Sequence, residues 1–236
     1  MIARSVKPGA AVALALLAGA GCAPKPAAPK LAPAQAAMRD AFIAAFGRPP
    51  PWATLDEGGD QVTYRPQGLV DLSPGVTALI SVGELPADCK LCAGALTIDY
   101  LRRDGAGFSR LGHWPAFAGQ GDHGRALPWT VRADLDDGPT LVISNAQHET
   151  GCSSTLQDLV TLTPKGPVKI ATVVTAMAIE AIPGRQQAGD NVTATITPIV
   201  RGQSFAVKVS GTLSLRQVYR RQGDVFTAYG AGLTGC

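Results

Sequence analysis

Charge is scarce in this chain. Asp, Glu, Lys and Arg make up 17% of 236 residues, and the formal net charge is +3. No basic stripe runs along it to follow a phosphate backbone, which removes nucleic acid from the expected partners. Histidine is equally sparse: there are three, with no H-E-x-x-H motif and no helical pair at i and i+4. The G-x-S-x-G elbow is also missing, so no serine reads as a nucleophile at a strand-to-helix turn. Together these absences leave few places where catalysis or metal chemistry would reside.

Turn residues and β-formers are plentiful. Twenty-seven glycines and eighteen prolines punctuate short runs rich in valine and threonine, the composition of a β-rich globule. Strands are predicted near Gln61–Tyr64, Thr77–Val82, Ala95–Arg102, Phe108–Gly112, Trp129–Ala133 and Thr140–Ser144. More follow near Leu156–Leu162, Val168–Thr175, Asn191–Val200, Ser204–Gly211, Leu213–Arg220 and Val225–Tyr229. The segment 175–182 reads as either strand or short helix. This density predicts a mainly β, antiparallel sandwich or barrel-like single domain, with a partial β-propeller as the alternative.

Two segments echo each other within the domain. The stretch 101–112 (Leu-Arg-Arg-Asp-Gly-Ala-Gly-Phe-Ser-Arg-Leu-Gly) aligns with 219–230 (Tyr-Arg-Arg-Gln-Gly-Asp-Val-Phe-Thr-Ala-Tyr-Gly). Each reads as a hairpin with exposed arginines, a glycine turn and a returning strand that buries its phenylalanine. A weaker echo pairs Leu69–Pro74 with Leu159–Pro164, each a strand running into a proline turn. Because the two offsets differ, recurrent hairpin chemistry is the reading, not a duplicated domain.

The N-terminal region has a different character. Arg4 and Lys7 precede an apolar stretch from Ala10 to Ala20, too short to span a bilayer but suited to a signal peptide. Leu17-Ala18-Gly19-Ala20-Gly21 then leads into Cys22. This resembles the lipobox of bacterial lipoprotein precursors, which implies a signal peptide over 1–21, diacylglyceryl attachment at Cys22 and a membrane held through the N-terminal lipid. Ala23 after the cysteine, by the same resemblance, points to the outer membrane and a domain facing the periplasm. Residues 22–37, nearly all alanine, proline and lysine, read as an extended linker. A domain over 38–236 follows, opening on a short amphipathic helix at about 38–46 in which Met38, Phe42, Ile43, Ala45 and Phe46 recur at helical spacing. Gly47 and Pro49-Pro50-Pro51 stop it.

An oxidising periplasm makes disulfides the expectation for Cys89, Cys92, Cys152 and Cys236. Of the three possible pairings, Cys89 with Cys92 and Cys152 with Cys236 is favoured. The C-x-x-C spacing also invites a thiol oxidoreductase reading, but the residues after Cys92 alternate like a strand, without the helix N-terminus that would stabilise a thiolate. Cys152 beside His148 is a conceivable thiol and base only if Cys152 is not oxidised.

His113, His123 and His148 are the candidates for a metal-dependent hydrolase, although nothing in their spacing demands a metal and no cofactor is implied. The run Asp134-Leu135-Asp136-Asp137-Gly138 reads as an aspartate-rich turn between strands. The loop read at 145–154 is the densest polar cluster, and Trp114, Trp129, His148 and Glu149 form the expected binding surface. The function that follows is a lipid-anchored envelope lipoprotein whose domain binds a protein or envelope polymer, or serves structurally, without catalysis. The alternative is an envelope enzyme built on Cys89 and Cys92 or on the three histidines.

Overall fold

The computed structural model describes residues 32–57, 59–85, 94–105, 107–118, 128–180 and 191–236. Cys22, Cys89, Cys92, His123 and the linker up to residue 31 lie outside the described residues. The fold is mainly β and antiparallel, with one helix. The helix α1 (Pro33–Phe46) precedes a first sheet of β1 (Ala53–Glu57), β2 (Asp60–Ser73), β3 (Val76–Glu84), β4 (Ala95–Asp104) and β5 (Gly107–Ala118). A second sheet holds β6 (Trp129–Arg132), β7 (Thr140–Glu149), β8 (Cys152–Thr163), β9 (Gly166–Ile179), β10 (Asn191–Val200), β11 (Ser204–Gly211), β12 (Leu215–Gln222) and β13 (Val225–Tyr229). In both sheets every strand lies beside its neighbour in the chain. The second is one continuous ladder from β6 to β13, not a set of separate propeller blades.

Each strand expected from the sequence is present, and the differences have local causes. The segment left open at 175–182 continues β9 as far as Ile179, because Ala176–Ala178 pair with Asn191–Thr193. The polar cluster at 145–154 is not a loop: β7 and β8 stay paired from Thr140 out to the Glu149–Cys152 turn. The helix starts at Pro33, five residues before its expected start, and so takes up the end of the predicted linker. Alanine is the best helix former and proline is tolerated in the first turn, so that composition suits a helix start as well as an extended chain. Gly47, at φ 69°, ends the helix by donating its N–H to the Ile43 carbonyl at 2.8 Å.

The layers follow from the period-2 alternation of the strands. Ala41, Phe42 and Ala45 of α1 are buried against Leu79 and Leu101 on one face of the first sheet, while Ile43, expected on that face, points outward. Ala78 and Ile80 of β3 and Leu96, Ile98 and Tyr100 of β4 turn to the other face. There they meet Leu141, Ile143, Val160 and Leu162 of β7 and β8. The opposite side of β7 to β9, with Val142, Leu159, Ile170 and Val173, packs on Phe205, Val207 and Val209 of β11, Tyr219 of β12 and Phe226 of β13. The second sheet therefore rolls on itself, and β13 returns against β9.

Register reveals a repetition deeper than the hairpin echoes. In the first sheet Val76 pairs with Arg102, Arg103 with Phe108, and Asp104 with Gly107. In the second, Ser204 pairs with Arg220, Arg221 with Phe226, and Gln222 with Val225. The meander β2–β5 thus recurs as β10–β13, strand for strand. In both copies an arginine guanidinium lies 5.0 Å from the centre of the phenylalanine ring opposite it.

A covalent tie completes the roll. Beyond β13, Leu233 packs on the second core, the Cys236 N–H donates to Ser154 Oγ at 3.3 Å, and Cys236 is disulfide-bonded to Cys152, with Cα atoms 5.9 Å apart. The expected Cys152–Cys236 bridge is therefore present, spanning 84 residues of sequence. A cross-link over that separation restricts the unfolded chain by ~4.5 kcal/mol on the loop-entropy account. Replacing both cysteines by serine is expected to lower the unfolding free energy by about that amount, read as a shift in urea midpoint. The wild type should lose the same increment under reductant, and the double variant should not respond to it.

Candidate functional site

Strand β4 carries the least expected side chain in the core. Thr97, Asp99 and Leu101 face the helix side of the first sheet, and Asp99 is completely buried. Its Oδ1 lies 2.7 Å from Nδ1 of His113, the cross-strand neighbour on β5, whose side chain is 26% exposed. The other oxygen, Oδ2, has no hydrogen-bond partner. The same holds for Ser81 Oγ, while the buried Tyr64 hydroxyl faces the Glu57 carboxylate. Tyr64, Ser81 and Asp99 lie on adjacent strands of that face, and the Tyr64 ring stacks on Phe46 of α1 at 5.6 Å. Arg110 reaches the end of the helix, where its Nη1 donates to the Ala45 carbonyl at 2.8 Å.

The electrostatics of these side chains are set by burial. Desolvation raises the Asp99 carboxyl above the ordinary aspartate range, against the lowering influence of His113 and Arg110. Burial likewise keeps the Tyr64 hydroxyl protonated far beyond the usual tyrosine range, and the nearby Glu57 and Asp99 carboxylates push the same way. Asp99 Oδ2 and Ser81 Oγ, on adjacent strands of this face, are thus buried with unmet hydrogen-bonding capacity. The contact with Asp99 through Nδ1 fixes the orientation of the His113 imidazole. The sequence offered one signal that went unread: a carboxylate at the centre of an apolar strand, at the register position facing a histidine.

A second polar centre holds the β6–β7 connection. Arg132 grips Asp134 through both carboxylate oxygens, at 2.8 and 2.7 Å, and holds that carboxyl below its ordinary range. Leu135, 1% exposed, enters the core of the roll. Asp136, 3% exposed, accepts from Thr161 Oγ1 at 2.8 Å, from the Asp137 N–H at 2.9 Å and from Arg221 Nη2. Arg201 donates to the Asp136 and Asp137 carbonyls at 2.9 and 3.0 Å, and Arg221 Nε to the Gly202 carbonyl at 2.6 Å. The aspartate-rich turn is as expected. Arg221, read from sequence as exposed, is half-buried and bound to Asp136, because the connection folds back over the hairpin end.

The other residues singled out from sequence are dispersed. Trp114 packs on Tyr100 at 4.7 Å and lies over Gly166 of the neighbouring sheet, where a Cβ would come within 2.7 Å of the indole. Trp129 in turn covers Gly68, where a Cβ would come within 2.8 Å. Both tryptophans pack on the core between the sheets. His148 and Glu149 sit at the far tip of the β7–β8 hairpin, five or more residues along β7 from Ile143, the partner of Trp129. His113 and His148 lie in different sheets. Among the described residues no group of three or more His, Cys, Asp or Glu is arranged to hold a metal. Compared with known proteins, the chain matches no family model, no curated protein and no solved structure.

Two variants test these centres. Asp136→Ala removes the partner of a half-buried guanidinium and of the buried Thr161 hydroxyl, and is expected to cost about 3 kcal/mol of stability in urea unfolding. Asp99 behaves in the opposite sense to a paired surface carboxylate. Since its folded-state pKa is raised, its contribution is fully present below the unfolded value of ~3.9 and is lost as pH rises through the folded value. The stability of wild type relative to Asp99→Asn is therefore expected to fall as pH rises above about 4, measured by urea denaturation at each pH.

Proposed function

We propose that this chain is a lipid-anchored cell-envelope lipoprotein whose β-domain faces the periplasm as a binding or structural module. The observation that carries the reading is the Cys152–Cys236 bond. Structural disulfides belong to proteins that fold outside the cytosol, and the residues before Cys22 resemble an export signal ending in a lipobox. A domain moored by two or more acyl chains stays at the surface, since each buried methylene contributes ~0.8 kcal/mol.

The non-catalytic part of the reading is supported by how the polar side chains are used. Asp136, Arg201 and Arg221 hold the fold together. With Cys152 in a disulfide, it no longer pairs with His148 as a thiol and its base. Asp99, fully buried, holds a partly exposed His113 beside buried polar atoms without partners, an arrangement suited to recognition. The partners that suit such a module are an envelope protein or polymer.

Mass spectrometry of the processed protein tests the anchor. The expected product begins at Cys22 with diacylglyceryl and acyl additions and enters the detergent phase on Triton X-114 partitioning. Cys22→Ser is expected to move it to the aqueous phase. An unmodified N-terminus would overturn the reading.

A further inference from the structure

The repeated meander places an arginine over a phenylalanine at two equivalent positions, and only one of the two arginines is paired with a carboxylate. In β10–β13, Arg221 lies over Phe226 and its guanidinium is taken by Asp136 of the β6–β7 connection, with Leu135 buried alongside. In β2–β5, Arg103 lies over Phe108 in the same register and at the same 5.0 Å. The backbone matches as well: Arg103 N–H donates to the Gly75 carbonyl at 2.9 Å, and Arg221 N–H to the Gln203 carbonyl at 2.8 Å, each the residue before the next strand. Yet among the described residues no carboxylate pairs with Arg103. Its groove, of about 470 Å³, is bounded by Asp71, Ser73, Pro74, Thr77, Arg103 and Phe108.

We infer that this groove is a docking site for an acidic, extended segment of a partner protein, which seats a carboxylate on Arg103 as Asp136 does on Arg221. The inference rests on the binding-module reading and names the partner's chemistry. A planar guanidinium already fixed over an aromatic ring loses little freedom when it forms a two-point bond to a carboxylate. Arg103 and Asp71 stand on facing walls of the groove, so it presents one cation to a carboxylate and one anion to a donor. Asp71 on the opposite wall limits how acidic that anion can be. The segment that fits carries one carboxylate at Arg103, an apolar neighbour, and a backbone N–H for Asp71. The β6–β7 connection supplies the first two of these features in Leu135-Asp136.

The probe is a fluorescent synthetic peptide copying residues 133–139 with Asp134 and Asp137 replaced by asparagine, so that Asp136 is its one side-chain carboxylate, titrated by anisotropy against the full chain in mild detergent. Saturable binding is expected, weakened at least about tenfold by Arg103→Gln in the protein and by Asp136→Asn in the peptide. Arg103 is exposed, so its replacement leaves the fold intact, checked by an unchanged urea midpoint. Absence of saturable binding would overturn the site. Equal binding by wild type and Arg103→Gln would do so too, since it would put the peptide elsewhere on the protein. Either result leaves the lipid anchor untouched, because mass spectrometry reads that separately.

Discussion

The rolled second sheet depends on one buried carboxylate. Asp136 sits where β8, the β10–β11 turn and β12 converge, and it is bound by a hydroxyl, a backbone amide and a guanidinium. A lone charge at that depth would be strongly unfavourable, and this one is tolerated because every approach to it brings a donor. The consequence is directional. With Asp136 held, Leu135 is driven into the core and the connection from β6 to β7 becomes a cap on the roll. The disulfide acts at the C-terminal side, tying the segment after β13 back to the start of β8. Hydrogen-bonded charge and covalent bond thus secure two different margins of one curved sheet.

The two sheets meet through large side chains seated on glycine. Trp114 from the first sheet covers Gly166 of the second, and Trp129 from the second covers Gly68 of the first. Any Cβ at those glycines would collide with an indole, so close packing of the layers rests on the absence of a side chain opposite each ring. Aromatic residues are few in this protein, and these two are used at the seam. Their apolar area is committed to holding the sheets together, which moves attention for binding to the helix face of the first sheet.

Much of this was legible in the sequence, and the reasons for the rest are physical. Strands announce themselves through β-branched runs and glycine turns, so their order could be read directly. The helix stop at Gly47 was equally plain, whereas its start was not, because alanine and proline serve an extended linker and a first helical turn alike. Layering was hidden: Leu141 and Val142 are adjacent in sequence yet belong to different cores, and no local pattern tells a strand buried on both faces from one buried on a single face. Nor could the partner of Arg221 be found from spacing, since Asp136 lies 85 residues away. Cys152 and Cys236 were found because the compartment predicted them before the geometry did.

Comparing the two copies of the meander indicates which face is reserved for something other than stability. At equivalent register positions β11 and β12 place Phe205, Val209 and Leu215 where β3 and β4 have Thr77, Ser81 and Thr97, and Gln217 where β4 has Asp99. The same backbone therefore supports an almost wholly apolar face in one copy. Nothing in the scaffold requires polarity in the other. Yet there the sheet buries Ser81 Oγ and Asp99 Oδ2 unpaired, each at a cost of about 1–3 kcal/mol that an apolar residue would avoid. Departures from good packing in one copy of a repeated unit concentrate where a protein does something besides fold. The Asp99–His113 pair and the groove at Arg103 lie on that same face, so the polarity of the first copy is gathered beside and beneath α1, where the second copy has an apolar core.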